Sequence, residues 1–380
     1  MGFYFVDFGL WILFCGLWCE ILENTFKNHK PICIIPARGG SKRIPHKNIK
    51  NFCGKPIIAY SIQNALESNL FSSQHCSHYS HFLHLPHFSR QNPSHKNISL
   101  QASQKDTFAQ NPPQNLSQNP FIIVSTDDKK IAKIAKQYGA SVPFMRPSNL
   151  ANDTAATLPV VAHALDFLRD FGGDLGVEIC EQTPVCVLYP TAPLIDFRHI
   201  VRSFEIFLNA GEKTECEYVF FANELAKNPL RGFVLESKMD FAGGLGDNFG
   251  ADFMRDFRAD FCDDFDKDLL GEFEEDFGED LNADFSKKIG KPKMLFKQYE
   301  GVRSQDLPRV YVDAGVLYWG RASTFCAQKP IFSSHSLAIK LDSSHTQDID
   351  TISDWNLAKA KFLALQKATK AKNTQNTKND

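Results

Sequence analysis

The sequence predicts a three-layer α/β fold built on a mostly parallel sheet. Short apolar runs suit buried strands, helix-like text separates them, and a polar cluster follows each run directly. Parallel sheets are covered on both faces, so their strands read as continuous apolar segments rather than as alternating ones. The first run is Pro31-Ile32-Cys33-Ile34-Ile35-Pro36, leading into Ala37-Arg38-Gly39-Gly40-Ser41-Lys42-Arg43 and then Lys47-Asn48. A helix is predicted from Pro56 to Phe71, with Ile58, Ile62, Ala65 and Leu66 on its apolar face. The next strand, Phe121 to Val124, ends in Ser125-Thr126-Asp127-Asp128, and a helix from Ile131 to Tyr138 is closed by Gly139 in the C′ position. A third strand, Val185 to Leu188, precedes Tyr189-Pro190-Thr191-Ala192-Pro193. In such sheets the loops beyond the carboxyl ends of the strands hold the ligand.

Composition narrows the function. The chain has 380 residues, 43% hydrophobic and 23% charged, as in a soluble globular protein of two domains or one large domain with additions. Its 42 Lys and Arg against 44 Asp and Glu give a net charge of −2, which excludes a chain built to coat nucleic acid. Ten cysteines without a CxxC pair exclude a zinc ribbon and a thioredoxin-like site, and fit a reducing cytoplasm.

Three stretches depart from the α/β pattern. Residues 1–30 form an apolar leader whose run from Phe3 to Leu22 is broken only by Asp7 and Glu20. No Lys or Arg precedes it, and the uninterrupted part, Phe8 to Cys19, falls short of the roughly 20 residues that span a bilayer. An upstream extension, such as follows from a mis-assigned start, is favoured over a membrane contact. Residues 72–120 are rich in Ser, Gln, Asn and His and read as a low-complexity insertion. Within it His75, His78, His81, His84 and His87 recur every third residue; compositional drift is favoured over a metal tract, because no carboxylate or thiolate set completes a site. Residues 236–290 hold 17 acids, 6 bases and nine of the 33 Phe, with Asp-Phe pairs at 252, 256, 260 and 264. A mobile acidic insertion that packs or self-associates through Phe is favoured there over a partner-binding helix. Its −11 sets the rest of the chain at +9, so an anionic substrate suits the core. Removing these stretches and a polar tail, 363–380, leaves one ordinary α/β domain within residues 31–362.

The loop after the first strand has the chemistry of a polyphosphate site. Two glycines let the backbone approach a ligand closely, and Arg38, Lys42, Arg43 and Lys47 supply positive charge. It is neither a Walker A loop nor the dinucleotide fingerprint, which removes a dehydrogenase reading. Near the other end, His345-Thr346-Gln347-Asp348-Ile349-Asp350 sets two carboxylates two residues apart, where an extended backbone aims both at one hard cation. Beside phosphates, Mg2+ is the natural choice.

The run Ile35-Pro36-Ala37-Arg38-Gly39-Gly40-Ser41-Lys42-Arg43-Ile44-Pro45-His46-Lys47-Asn48 resembles the amino-terminal signature of the CMP-nonulosonate synthetases, or acylneuraminate cytidylyltransferases. The likeness continues through Val124-Ser125-Thr126-Asp127-Asp128, Phe144-Met145-Arg146-Pro147 and Leu150-Ala151-Asn152-Asp153-Thr154. It extends through Tyr189-Pro190-Thr191-Ala192-Pro193, Arg303-Ser304-Gln305-Asp306, Asp313-Ala314-Gly315 and Gln347-Asp348-Ile349-Asp350.

The resemblance implies a Rossmann-like nucleotidyltransferase fold of the GT-A-like kind, a cytoplasmic homodimer, and transfer of CMP from CTP to a nonulosonic acid with Mg2+. It assigns Arg38, Ser41, Lys42, Lys47 and Asn48 to the triphosphate, with Arg38, Lys42, Lys47 and Asp350 as the catalytic set. Arg146, Asp153, Ala155 and Thr157 fall to the cytidine pocket, Tyr189, Arg303, Gln305 and Asp313 to the sugar, and Asp348 and Asp350 to the metal. Tyr189 and Asp313 stand where sialic acid members usually carry Gln and Asn, which points to pseudaminic acid. Sialic acid, legionaminic acid and 3-deoxy-manno-octulosonate are the competing substrates, and a catalytically silent nucleotide-binding or membrane-associated scaffold is the competing class. The acidic insertion interrupts the region between Leu235 and Lys291 where the family builds a dimer arm, so dimer geometry and the approach of Arg303 are where this chain departs.

Overall fold

A computed structural model describes residues 30–71, 118–152, 155–213, 215–225, 227–238 and 290–376. The predicted leader up to residue 29, the His tract and the Asp-Phe stripe lie outside the described residues. Strand β1 (Ile32–Pro36) is followed by a hairpin of β2 (Asn51–Phe52) and β3 (Lys55–Pro56), then helix α1 (Ile57–Glu67). Next come β4 (Asn119–Ser125), α2 (Lys129–Gln137), β5 (Ala140–Ser141), α3 (Thr157–Phe171), β6 (Pro184–Leu188) and α4 (Phe197–Lys213). The order continues with β7 (Tyr218–Glu224), β8 (Phe233–Lys238), β9 (Gly290–Met294), β10 (Tyr311–Arg321), α5 (Ala322–Cys326), β11 (Ser336–Lys340) and α6 (Ile352–Asn376).

Seven strands form the main sheet in the order β11-β7-β10-β6-β1-β4-β5. Strand β1 pairs in parallel with β4 and β6, β4 with β5, and β7 with β11; β10 alone runs antiparallel, to β6 and β7. The centre is parallel because its strands are apolar on both faces: Ile32 to Ile35 and Val185 to Leu188 are fully buried. Registers of Pro36 with Ser125 and Ile34 with Val187 align the carboxyl ends of β1, β4 and β6. The reversal of β10 brings its amino-terminal residues to that same edge. Its register shifts between Asp313 and Tyr318, where Gly315 takes φ 61°, a conformation that costs other residues more.

Local chemistry moved several predicted boundaries. Helix α1 stops at Glu67 rather than Phe71 because Ser68 Oγ donates back to Ala65 O at 2.7 Å and Asn69 turns to φ 55°. Helix α2 starts at Lys129, before the predicted Ile131, because Asp128 Oδ1 accepts from Lys130 N at 2.6 Å and Ile131 N at 3.3 Å. Gly139, at φ 93°, follows the helix as predicted. Helix α6 runs through the predicted polar tail to Asn376, since Ala, Lys, Leu and Gln are strong helix formers. Among the described residues no helix is long and apolar enough to cross a membrane.

The main core lies between the sheet and its helices. A second, smaller cluster of Ile44, Phe52, Ile57, Tyr60, Ile349, Trp355 and Ala358 joins the loop after β1 to the segment entering α6. Residues 225–310 form a compact unit of their own. In it β8 pairs antiparallel with β9, extending to Lys238 opposite Gly290 and so past the predicted insertion boundaries.

Candidate active site

The loop after β1 is fixed by β4 and by its own turn. Ala37 N donates to Ser125 O at 2.9 Å, Gly39 N to Asp127 Oδ1 at 2.9 Å, and Asn48 Nδ2 to Arg38 O at 2.9 Å. A Cβ on Gly39 would meet Asp128 Cβ at 2.9 Å, so the approach to β4 requires glycine here, whereas Gly40 has open space around it. Arg38 and Ser41 are half-buried, Lys42 is exposed and Asn48 is buried.

The predicted carboxylate pair meets this loop. Arg43 lies 3.1 Å from Asp350 Oδ2, and Lys47 Nζ lies 3.5 Å from Asp350 Oδ1 while donating to Ile349 O at 2.5 Å. Burial, and then the neighbouring Asp350 carboxylate, push the Asp348 carboxyl above its ordinary range against the pull of Lys47. Two mutually repelling oxygen donors fit a hard divalent cation, and no third acid, His or Cys among the described residues completes a metal group. That donor set suits Mg2+, which keeps several waters or substrate phosphate oxygens in its shell.

Arg146 lies beneath the end of β4. Its backbone N donates to Thr126 O at 2.7 Å, and its guanidinium donates to Ser125 Oγ at 3.1 Å and to Ser125 O. Burial pushes it down to about 10, with Asp127 opposing. Of the other residues assigned to cytidine, Ala155 is half-buried, Asp153 lies outside the described residues, and Thr157 begins α3.

Thr157 meets the predicted sugar side. Its Oγ1 is 2.8 Å from the Tyr189 hydroxyl, and the Tyr189 ring stands edge-on to Tyr318 with centroids 5.6 Å apart. Tyr318 donates its hydroxyl proton to Asp313 Oδ2, and Gly315 N donates to Asp313 Oδ1 at 3.2 Å. Both carboxylate oxygens of Asp313 therefore accept from within the protein. Burial raises the Tyr189 pKa against the hydrogen bonds to Thr157 and Tyr318, with smaller contributions from the Asp313 and Asp348 carboxylates. Tyr318 was not legible in the sequence, because residues five apart on a regular strand face opposite ways and the register shift at Gly315 turns these two together. Arg303 and Gln305 belong to the 225–310 unit, where Arg303 Nε pairs with Asp306 Oδ2 at 2.9 Å and Gln305 is exposed.

Comparison with known proteins bears on the same residues. A cytidylyltransferase family model matches residues 32–77 and 110–229. A pseudaminic acid cytidylyltransferase of Campylobacter jejuni is 28% identical over 330 residues, 87% of this chain and 95% of the relative. A Helicobacter pylori protein that joins pseudaminic acid cytidylyltransferase to UDP-2,4-diacetamido-2,4,6-trideoxy-beta-L-altropyranose hydrolase is 26% identical over 338 residues, 89% of this chain and 44% of the relative. CMP-N,N'-diacetyllegionaminic acid synthase of Legionella pneumophila is 33% identical over 181 residues, 48% of this chain and 54% of the relative. The basic Gly-Gly loop and the strands around it lie within the residues that match the cytidylyltransferase model, and the carboxylate pair meets that loop in a chain similar over most of its length to pseudaminic acid cytidylyltransferases.

Proposed function

We propose that the protein transfers CMP from CTP to the anomeric hydroxyl of a nonulosonic acid, with pseudaminic acid as the favoured substrate. The product is a CMP-sugar for surface glycan or flagellin glycosylation, made in the cytoplasm by a homodimer. The observation that carries this reading is the meeting of Arg43 and Lys47 with Asp350 at the edge where Tyr189 and Asp313 also lie. In the reaction the sugar oxygen attacks the α-phosphorus as its bond to the bridging oxygen breaks, and pyrophosphate leaves.

Arg38, Ser41, Lys42, Lys47 and Asn48 hold and neutralise the triphosphate, so that catalysis rests on positioning and charge stabilisation. Arg146, Asp153, Ala155 and Thr157 shape the cytidine pocket. Asp348 and Asp350 would hold Mg2+, whose contribution is to bind phosphate oxygens and neutralise charge that develops on them. Tyr189 presents an aromatic face to a deoxy, methyl-bearing sugar with Asp313 on the same side, and Arg303 and Gln305 are assigned to the sugar, Arg303 to its carboxylate, by the resemblance alone.

The test is pyrophosphate release from CTP over a panel of pseudaminic, sialic, legionaminic and 3-deoxy-manno-octulosonic acids. The expected result is turnover with pseudaminic acid at a kcat/KM about 10-fold or more above the others. Absence of turnover with every sugar acid would overturn the reading. Tyr189→Gln is expected to erode the preference; an unchanged preference would remove Tyr189 from specificity.

A further inference from the structure

Segment 346–350, which carries both carboxylates, has no strand or helix ladder to hold it. Side chains take that role. Lys361, on α6, donates to Ser343 O at 2.8 Å, Thr346 O at 3.0 Å and Gln347 Oε1 at 3.0 Å. All three acceptors are neutral oxygens, and they match the three donors of an ammonium group. Because an ammonium can only donate, Lys361 fixes which end of the Gln347 amide faces it. The amide nitrogen is thereby turned toward the carboxylate pair, where it donates to Asp348 O at 3.1 Å and to Asp354 Oδ1 at 3.4 Å. Asp354 Oδ2 in turn accepts from Asp350 N at 3.1 Å, Thr351 N at 2.8 Å and Thr351 Oγ1 at 2.8 Å.

We propose that Lys361 is a positioning residue for the carboxylate pair: acting through Gln347 and Asp354, it sets the backbone from which Asp348 and Asp350 project and so the affinity of the site for a divalent cation. The proposal rests on the metal assignment under the proposed function. The Lys361 ammonium contacts Ser343, Thr346 and Gln347 and neither carboxylate of the pair directly. It acts as an outer partner that orients a ligand-bearing segment, a kind of contact whose loss weakens metal binding about 10- to 100-fold.

The experiment is a Mn2+ titration followed by electron paramagnetic resonance, on the full chain with CTP and without sugar acid. Asp350→Asn assigns the protein-bound Mn2+ to the pair by abolishing the loss of free Mn2+ signal that the wild type causes beyond a CTP-only blank. Lys361→Met keeps the aliphatic stem and removes the donors; Gln347→Leu cuts the same chain one link later and serves if the first variant folds poorly. The expected result is a Mn2+ dissociation constant raised about 10-fold or more in either variant. CTP affinity in the absence of metal should stay unchanged. A merely structural role would lower the folded fraction and leave the Mn2+ curve of the folded protein in place, and curves that overlay the wild type would overturn the proposal. Wild type that binds Mn2+ with CTP yet activates no sugar acid would overturn the reaction instead, with the titration still deciding the role of Lys361.

Discussion

After β1 the chain leans on the sheet: Ala37 and Gly39 donate to Ser125 and Asp127 at the end of β4, and Asn48 closes onto Arg38. Before α6 the segment carrying Asp348 and Asp350 leans on side chains, through Thr346, Gln347, Asp354 and Lys361. One wall of the site is thus backbone braced by a neighbouring strand, and the other is irregular chain suspended from polar ties. The difference teaches where each wall is vulnerable. Steric change should damage the first, and loss of a single tie or of the apolar peg beneath it should damage the second.

The peg is the largest lever. Ile349 is 1% exposed and packs in the small cluster with Trp355, whose ring lies edge-on to Phe52 at 5.3 Å. Trp355→Ala is expected to cost about 3–5 kcal/mol in urea unfolding. A cost below about 1 kcal/mol would mean that the polar ties hold this wall without the peg.

The braced wall is tested by two adjacent glycines. A Cβ at Gly39 would press on Asp128, whose side chain is held as the cap of α2, whereas at Gly40 it would meet nothing within 4 Å. Gly39→Ala should lose about 1–3 kcal/mol in thermal melts. Gly40→Ala should change stability by about 0.5 kcal/mol or less, and equal losses at both sites would show that backbone freedom, not close approach, governs the turn.

The smallest effect belongs to Lys55, on the hairpin that carries Phe52 into the shared cluster. Its ammonium lies 4.0 Å from the Tyr60 ring centroid and bonds to Gln63 Oε1, and burial pushes it from an ordinary 10.5 down to about 8. Between those values the unfolded chain binds more protons than the folded one, so this group makes stability rise as pH increases from about 8 toward 10.5. The rise should be on the order of 1 kcal/mol and should vanish in Lys55→Met. A slope unaltered by that substitution would assign it to other groups.

The braced wall was legible in the sequence because its signals are local: an apolar strand, then Gly-Gly, then cations. The carboxylate pair was visible as a motif, yet its support was not. Lys361 sits among several other lysines of α6, and nothing in the local pattern separates the one that turns inward. Tyr318 escaped for a related reason, since a strand of regular period would have aimed it away from Asp313. The fold class was legible down to the parallel centre of the sheet, while the reversal of β10 depends on long-range pairing with β6 and β7 that no short window encodes.

The small cluster has a consequence for how the protein breathes. Ile44 comes from one wall and Ile349 from the other, and both are lodged among the same side chains. Neither residue can leave without disturbing the neighbours that retain the other, so the two segments are expected to open together, as hydrogen exchange of their amides would show. Ordering one wall should therefore help to order the other. A ligand seated on the first loop would make the second less costly to order, and one on the second would do the same for the first: reciprocal coupling without a shared ligand atom.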